Sequence, residues 1–257
     1  MLTVLGEFVL PRSEPVWTNA LTDALELVGV EHRAARQALA RTGGDGLIAS
    51  FKVGRRAQWG LTEAGRRLLT DGAERIYSFA SETPDWIGTW LVLLVSVPES
   101  ERDLRRRART RLSWAGFGTP APGVWVTPRP ELADEARTAL DALGLSRSVF
   151  SFVGGHAGIG NERELVDRAW NMPEIGARYE RFLTEFGGLE PANDTDALVA
   201  QIRLVHEWRR FPFLDPQLPK ILLPDDWAGR AATKLFQDRH DTWRRAAEAE
   251  WDRLCLS

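Results

Sequence analysis

Apolar residues keep a helical period over most of the first eighty positions, break once into alternation, and then resume it. Leu2, Leu5 and Val9 share one side of a helix that Pro11 stops. In "WTNALTDALELVG" (17–29) Leu21, Leu25 and Val28 recur at i, i+4 and i+7, with Thr18 or Asn19 as N-cap and Gly29 at the stop. "VEHRAARQALART" (30–42) follows after almost no loop. Its Ala34, Ala35, Ala38 and Thr42 are expected to face inward, leaving Arg33, Arg36, Gln37 and Arg41 outside. The run Thr42, Gly43, Gly44, Asp45 predicts that this helix frays early, since glycine gives up backbone entropy in a helix. Phe51, Val53, Ala57, Trp59 and Leu61 then alternate around Gly54-Arg55 as a hairpin does, and "LTEAGRRLL" opens a fourth helix.

"SETPDWIG" (81–88) reads as a linker, because Pro84 disfavours a continuous helix. Beyond it the pattern runs strand ("WLVLLVSV"), helix (99–115), two strand-like pieces in "GFGTPAPGVWVTP", helix (131–143) and strand ("SVFSFV"), the β-α-β-β-α-β order of a ferredoxin-like domain. Acids lie early and arginines late in helix 99–115, with Glu101-Arg105 and Asp103-Arg107 spaced to pair; a solvated face or a second phosphate-contacting surface both fit. Helical spacing returns over 162–170, 173–186, 195–210 and 226–254. "FPFLDPQLPKILLP" is expected to be extended on account of its four prolines. The predicted class is thus α+β: an N-terminal winged helix-turn-helix (1–80), the linker (81–88), a central ferredoxin-like βαββαβ domain (89–155) and a C-terminal helical domain (156–257).

Charge sharpens the reading of the first eighty residues. The 257-residue chain carries a net charge of −3, yet between residues 31 and 67 eight bases stand against three acids. Seven of the eight are arginines, whose planar fork suits phosphate and guanine. Two short helices in tight succession, the second small on one side and basic on the other, followed by a basic-tipped hairpin, form a helix-turn-helix with a wing. Arg33, Arg36, Gln37 and Arg41 are the expected base-reading residues, and Lys52, Arg55 and Arg56 at the hairpin the expected backbone contacts. Double-stranded operator DNA is the expected partner.

The stretches "LGEFVLPRSEPVWTNALTDALELVG", "RAARQALAR", "GLIASFKVGRRAQWGLTEAGRRLL", "WLVLLVSVPESERDLRRRARTRLSWAGFGTPAPGVWVTP" and "LVHEWRRFPFLDPQLPKILLPDDWAGRAATKLF" together resemble the PaaX family, the phenylacetic-acid catabolism repressors. That resemblance implies a DNA-binding regulator acting as a homodimer and released from DNA by an aryl-CoA thioester. The alanines at 34, 35 and 40 and the glycines that follow depart from the family, so its operator does not carry over.

Candidate effector contacts are Arg203, His206, Trp208, Arg209, Arg210 and Phe211, cations for phosphates beside aromatic rings for an aryl group; simple packing of this stretch is the alternative. Arg209 continues the apolar stripe of Leu198, Ile202 and Val205, and so requires either an ion-pair partner or an anionic ligand.

No enzyme motif emerges. "GGHAGIG" (154–160) lacks the ending of a phosphate loop and the third glycine of a dinucleotide fingerprint, and no histidine pair has zinc-site spacing. The middle domain also resembles the small ferredoxin-like nucleases of CRISPR adaptation, in which an aspartate near the end of the first strand binds metal. Here "LVSVP" places Ser96 there and no carboxylate. A nucleic-acid-processing enzyme and an acyl-CoA enzyme are the competing classes; neither a catalytic residue, a metal nor a cofactor is expected. Cys255 is the lone cysteine, the N-terminus lacks a leader, and no run is long enough to span a bilayer, so a cytoplasmic protein without a membrane partner is expected.

Overall fold

The structure, a computed structural model, describes residues 1–12, 14–79 and 86–256. Helix α1 (Leu2–Val4) continues as a π-helical turn over Leu5–Val9. A short strand β1 (Val16–Trp17) leads into α2 (Thr18–Leu27), α3 (His32–Gly44), the hairpin β2 (Ile48–Val53) and β3 (Arg56–Leu61), and α4 (Glu63–Tyr77). Then come β4 (Thr89–Val95), α5 (Arg102–Trp114), β5 (Gly118–Ala121), β6 (Val124–Thr127), α6 (Ala133–Asp141) and β7 (Val149–Gly155). Five helices follow: α7 (Glu162–Ala169), α8 (Met172–Gly187), α9 (Asp194–Trp208), α10 (Phe211–Leu214) and α11 (Gly229–Leu256). The protein is therefore α+β. Most of the proposed linker, residues 81–85, lies outside the described residues.

Two compact units partition the chain differently from its sequence segments. The first takes Met1–Phe79, Phe182–Arg209 and Ala231–Ser257; the second takes Ala80–Arg181 and Arg210–Arg230. In the first, one core joins Val4, Leu5 and Phe8 with Leu21 and Leu25 of α2, Leu39 of α3, Leu198 and Ile202 of α9, and Trp251 and Leu254 of α11. Phe8 stacks on Trp251 with ring centroids 5.2 Å apart. Beside them the Glu7 carboxylate accepts from Tyr77 and from the Gln201 amide at 3.2 Å, and lies 3.1 Å from His240 Nε2. A partly buried carboxylate held by three partners of distant sequence origin ties the N-terminal segment to α9 and α11.

The second unit is built on a four-stranded antiparallel sheet of order β5-β6-β4-β7. Leu91, Leu93 and Val95 on one face of β4 pack with Ala108 and Leu112 of α5 and Ala136 and Leu140 of α6. Strand period two turns Val92 and Leu94 to the opposite face, in register with Phe152 and Phe150 of the edge strand β7. Helix α7 closes on β5, where a Cβ at Gly118 would meet Trp170 at 2.5 Å. Tyr179 stacks on Phe211 at 4.1 Å and donates to Asp215 at 2.7 Å.

Several local expectations are corrected. Helix α3 does not fray at Thr42 but runs through Gly44, because the Thr42 hydroxyl donates to the Ala38 carbonyl at 2.8 Å and Trp59 packs over Gly43. The inward side of α3 is Ala35, Leu39 and Thr42, while Ala34 is exposed; the bulkier Leu39 sets the phase. Neither Thr18 nor Asn19 caps α2. Both lie in its first turn, where the Thr18 hydroxyl turns to Ala57 O and the Asn19 amide oxygen to Arg56. On α5 the helix begins at Arg102, so Glu101 falls outside it, and Asp103 pairs with Arg106 at 2.6 Å rather than with Arg107. The proline-rich stretch is not wholly extended: Pro212 sits in the first turn of α10, where its missing N–H costs nothing, and Lys220–Leu222 form a 3-10 turn.

Candidate nucleic-acid interface

Helix α3 is positioned from both ends. At its start, Gly29 takes a left-handed φ of +86° and Val30 N–H bonds back to Leu25 O at 3.0 Å, which ends α2 and turns the chain at once. At its end, Trp59 acts as a clamp. Its indole N–H donates to the Thr18 hydroxyl at 3.1 Å, that hydroxyl donates to Ala57 O at 2.9 Å, and the ring covers Gly43 so closely that a Cβ would lie 3.0 Å from it. One tryptophan on β3 thus fixes the first turn of α2 and the last turn of α3. With its buried side held, α3 presents His32, Arg33, Arg36, Gln37 and Ala40 along a shallow depression of about 480 Å³. Arg36 Nε donates to His32 Nε2 at 3.1 Å. Arg33, Gln37 and Arg41 are exposed and make no hydrogen bond or ion pair among the described residues.

The hairpin has the order β1-β3-β2, a third strand that the alternation pattern did not predict; at two residues, Val16–Trp17 is too short to carry a periodic signal. Gly54 at φ +62° followed by Arg55 at negative φ closes the two-residue turn as type II′ turns do. The three basic residues of this hairpin separate in role. Lys52 and Arg55 are exposed and unengaged among the described residues. Arg56 is folded back, its guanidinium 4.4 Å over the Trp17 ring and donating to Asn19 Oδ1 at 3.0 Å. Behind the hairpin, Thr62 caps α4 by accepting from Gly65 N–H at 3.0 Å, and Gly65 lies so near Leu47 O that a Cβ would stand 1.9 Å from it.

At the mouth of α3 the structure also brings Asp23, Glu26 and His32 within 4.8 Å of one another, an approach that sequence spacing does not reveal.

The other candidate residues are largely occupied. Arg203 pairs with Glu185 at 2.6 Å and His206 Nδ1 lies 3.3 Å from the Thr3 hydroxyl. Trp208 is fully buried, stacked on Phe236 at 4.6 Å and donating to Ile76 O at 3.3 Å. Arg209 lies near the Met1 amino group, whose pKa is lowered by burial first and by this guanidinium second. Arg210 is exposed, and Phe211 is buried against Tyr179.

Comparison with known proteins finds three family models in chain order: "PaaX-like protein" over residues 1–65, "PaaX protein central Cas2-like domain" over 83–166 and "PaaX-like protein C-terminal domain" over 170–253. The transcriptional repressor PaaX of Escherichia coli (strain K12) is 31% identical over 247 residues, covering 91% of this chain and 76% of that protein. Among solved structures, the uncharacterised protein Rv0674 of Mycobacterium tuberculosis matches with a TM-score of 0.59 at 20% identity, over 90% of this chain and 89% of that one, a likeness of fold.

Proposed function

The chain belongs to the PaaX family, and on that premise we propose that it is a sequence-specific transcriptional repressor that binds double-stranded operator DNA. In this reading α2, α3 and the β2–β3 hairpin form a winged helix-turn-helix, and the β4-to-β7 sheet with α5 and α6 is a ferredoxin-like domain. The observation that carries it is the exposed row of Arg33, Arg36 and Gln37 on one depression of α3, with Arg41 one turn further along. Bidentate guanidinium and amide groups at the N-terminal half of such a helix suit base edges in the major groove. Lys52 and Arg55 contact phosphates from the hairpin, while Arg56 holds the hairpin to α2. The repressor acts in the cytoplasm, and an aryl-CoA thioester lowers its DNA affinity.

The protein binds as a homodimer. Strand β7 supports this: Phe150, Phe152 and Val153 are 69%, 58% and 61% exposed on a sheet edge with no charge between 148 and 155. A long apolar edge is an aggregation liability unless covered, and an uncharged strand meets its own copy without repulsion. Phe152→Lys is expected to yield a monomer by sedimentation; an unchanged dimer would place the interface elsewhere. Selection of bound duplexes from a random pool tests the whole reading. An inverted repeat with half-sites a whole number of helical turns apart is expected, and failure to enrich any sequence would refute it.

A further inference from the structure

In the second unit a half-open groove of about 700 Å³ lies between the end of β4, helix α5 and the β5–β6 turn. Its walls are mostly apolar, with Val95, Val97 and Trp125 among them, and its rim carries Arg102, Arg105, Arg106 and Arg109. These four lie at i, i+3, i+4 and i+7, hence on one side of α5. Arg106 is neutralised by Asp103, whose carboxyl pKa that hydrogen bond lowers, and Arg105 donates to Pro98 O at 3.1 Å. Arg102 and Arg109 have no hydrogen bond or ion pair among the described residues. Glu99 is the one carboxylate among the described residues that line the groove.

Helix α5 holds six arginines and one acid. Like charges three and four positions apart destabilise a helix, and a bound anion relieves that repulsion. The volume falls in the range of small-molecule sites, and an apolar concavity does not match the convex, wholly polar surface of a duplex backbone. We propose that this groove binds a small phosphate-bearing molecule with an apolar end, its phosphates on Arg102 and Arg109 and its apolar end toward Trp125. That the same ligand is the release signal rests on the proposed repressor function; occupancy of the groove does not.

The test is calorimetry on the full chain with phenylacetyl-CoA, coenzyme A, pyrophosphate and a short single-stranded oligonucleotide as probes. Arg102→Gln/Arg109→Gln is compared with Arg137→Gln, a control on α6 whose guanidinium is already paired with Asp134. The parent is expected to bind phenylacetyl-CoA more tightly than coenzyme A, and both more tightly than pyrophosphate. The double variant should bind the thioester about tenfold more weakly or worse, with the control unchanged and both variants melting as the parent does. Equal affinity in parent and double variant overturns the site, even if the thioester still releases DNA. Binding lost in the double variant, with DNA affinity indifferent to the thioester, leaves the site standing and removes only its role as the switch. An oligonucleotide that binds there while no thioester does would make the groove a nucleic-acid surface and overturn the proposal.

Discussion

Replacing Trp251 by alanine tests whether the last helix completes the core on which α3 rests. The indole is 1% exposed, stacks on Phe8 at 5.2 Å, and belongs to the cluster that includes Leu21, Leu25 and Leu39. Truncating a buried tryptophan removes its transfer free energy and leaves a cavity that collapses only partly, at a cost of about 3–5 kcal/mol. Against a typical total of roughly 5–15 kcal/mol that is a large share, and a melting point lower by about 10 °C or more is expected. Urea unfolding followed by circular dichroism measures the stability, and gel-shift titration on the selected operator measures its effect on DNA binding. The decrease should fall on the first unit's transition, and DNA binding should fail at the temperature or denaturant at which that transition occurs. Trp114→Ala, on a residue 60% exposed, serves as control and should stay within about 0.5 kcal/mol. A Trp251→Ala effect below about 1 kcal/mol, or a fragment of residues 1–79 that unfolds cooperatively at the parent's midpoint, would refute the shared core.

Other substitutions separate roles within the candidate interface. Lys52→Ala/Arg55→Ala should flatten the salt dependence of DNA binding by about one unit of slope for each phosphate no longer neutralised, whereas Arg56→Ala should lower thermal stability first, since its guanidinium is committed to Trp17 and Asn19; identical effects in both would erase the distinction. Arg36→Ala should relax preference at one operator position by about 1–3 kcal/mol in a competition against base-substituted duplexes, and unchanged specificity in Arg33, Arg36 and Gln37 variants alike would remove α3 from the major groove. Gly65→Ala drives a methyl into Leu47 O and should cost about 1–3 kcal/mol or more, as overpacking does; parent-like melting would contradict the backbone path there. Burial raises the Asp215 carboxyl pKa in spite of bonds from Tyr179 and Gln217. A raised folded-state pKa gives stability that is full below the ordinary carboxylate value of about 4 and is lost as pH climbs through the shifted one. Asp215→Asn should therefore gain on the parent as pH rises, and parallel urea midpoints at all pH values would disprove the linkage.

What could be read from residues alone was what periodicity and turn chemistry encode locally. Leu21, Leu25 and Gly29 marked α2 and its end, the Gly54-Arg55 tip marked the hairpin, and the apolar run "WLVLLVSV" marked β4, though not which of its residues face the core. Arg33, Arg36, Gln37 and Arg41 stood out as the exposed side of α3 because a basic face opposite small residues leaves few other phases. Long-range partnerships carry no such signature. Trp59 reads as one more strand residue, though it holds α2 and α3 at once, and nothing in the string marks Glu7 as the carboxylate that meets Gln201 and His240. Arg56 looks identical to Arg55 in the sequence; only the Trp17 ring beside it tells them apart. The groove on α5 is invisible there because its apolar wall comes from β4 and β6, while its arginines are readable as a solvated face.

The Phe8–Trp251 stack also sets an order of events during synthesis. The residues of α3 leave the ribosome early, but the tryptophan that seals their core is made about 200 residues later, which at roughly 5–20 residues per second means on the order of ten seconds or more. Until then Val4, Leu5 and Phe8 have no α11 to pack against. A nascent or prematurely terminated chain thus carries every side chain proposed to read bases and lacks the body that would aim them, so on the proposed function unfinished copies would not compete with finished ones for DNA.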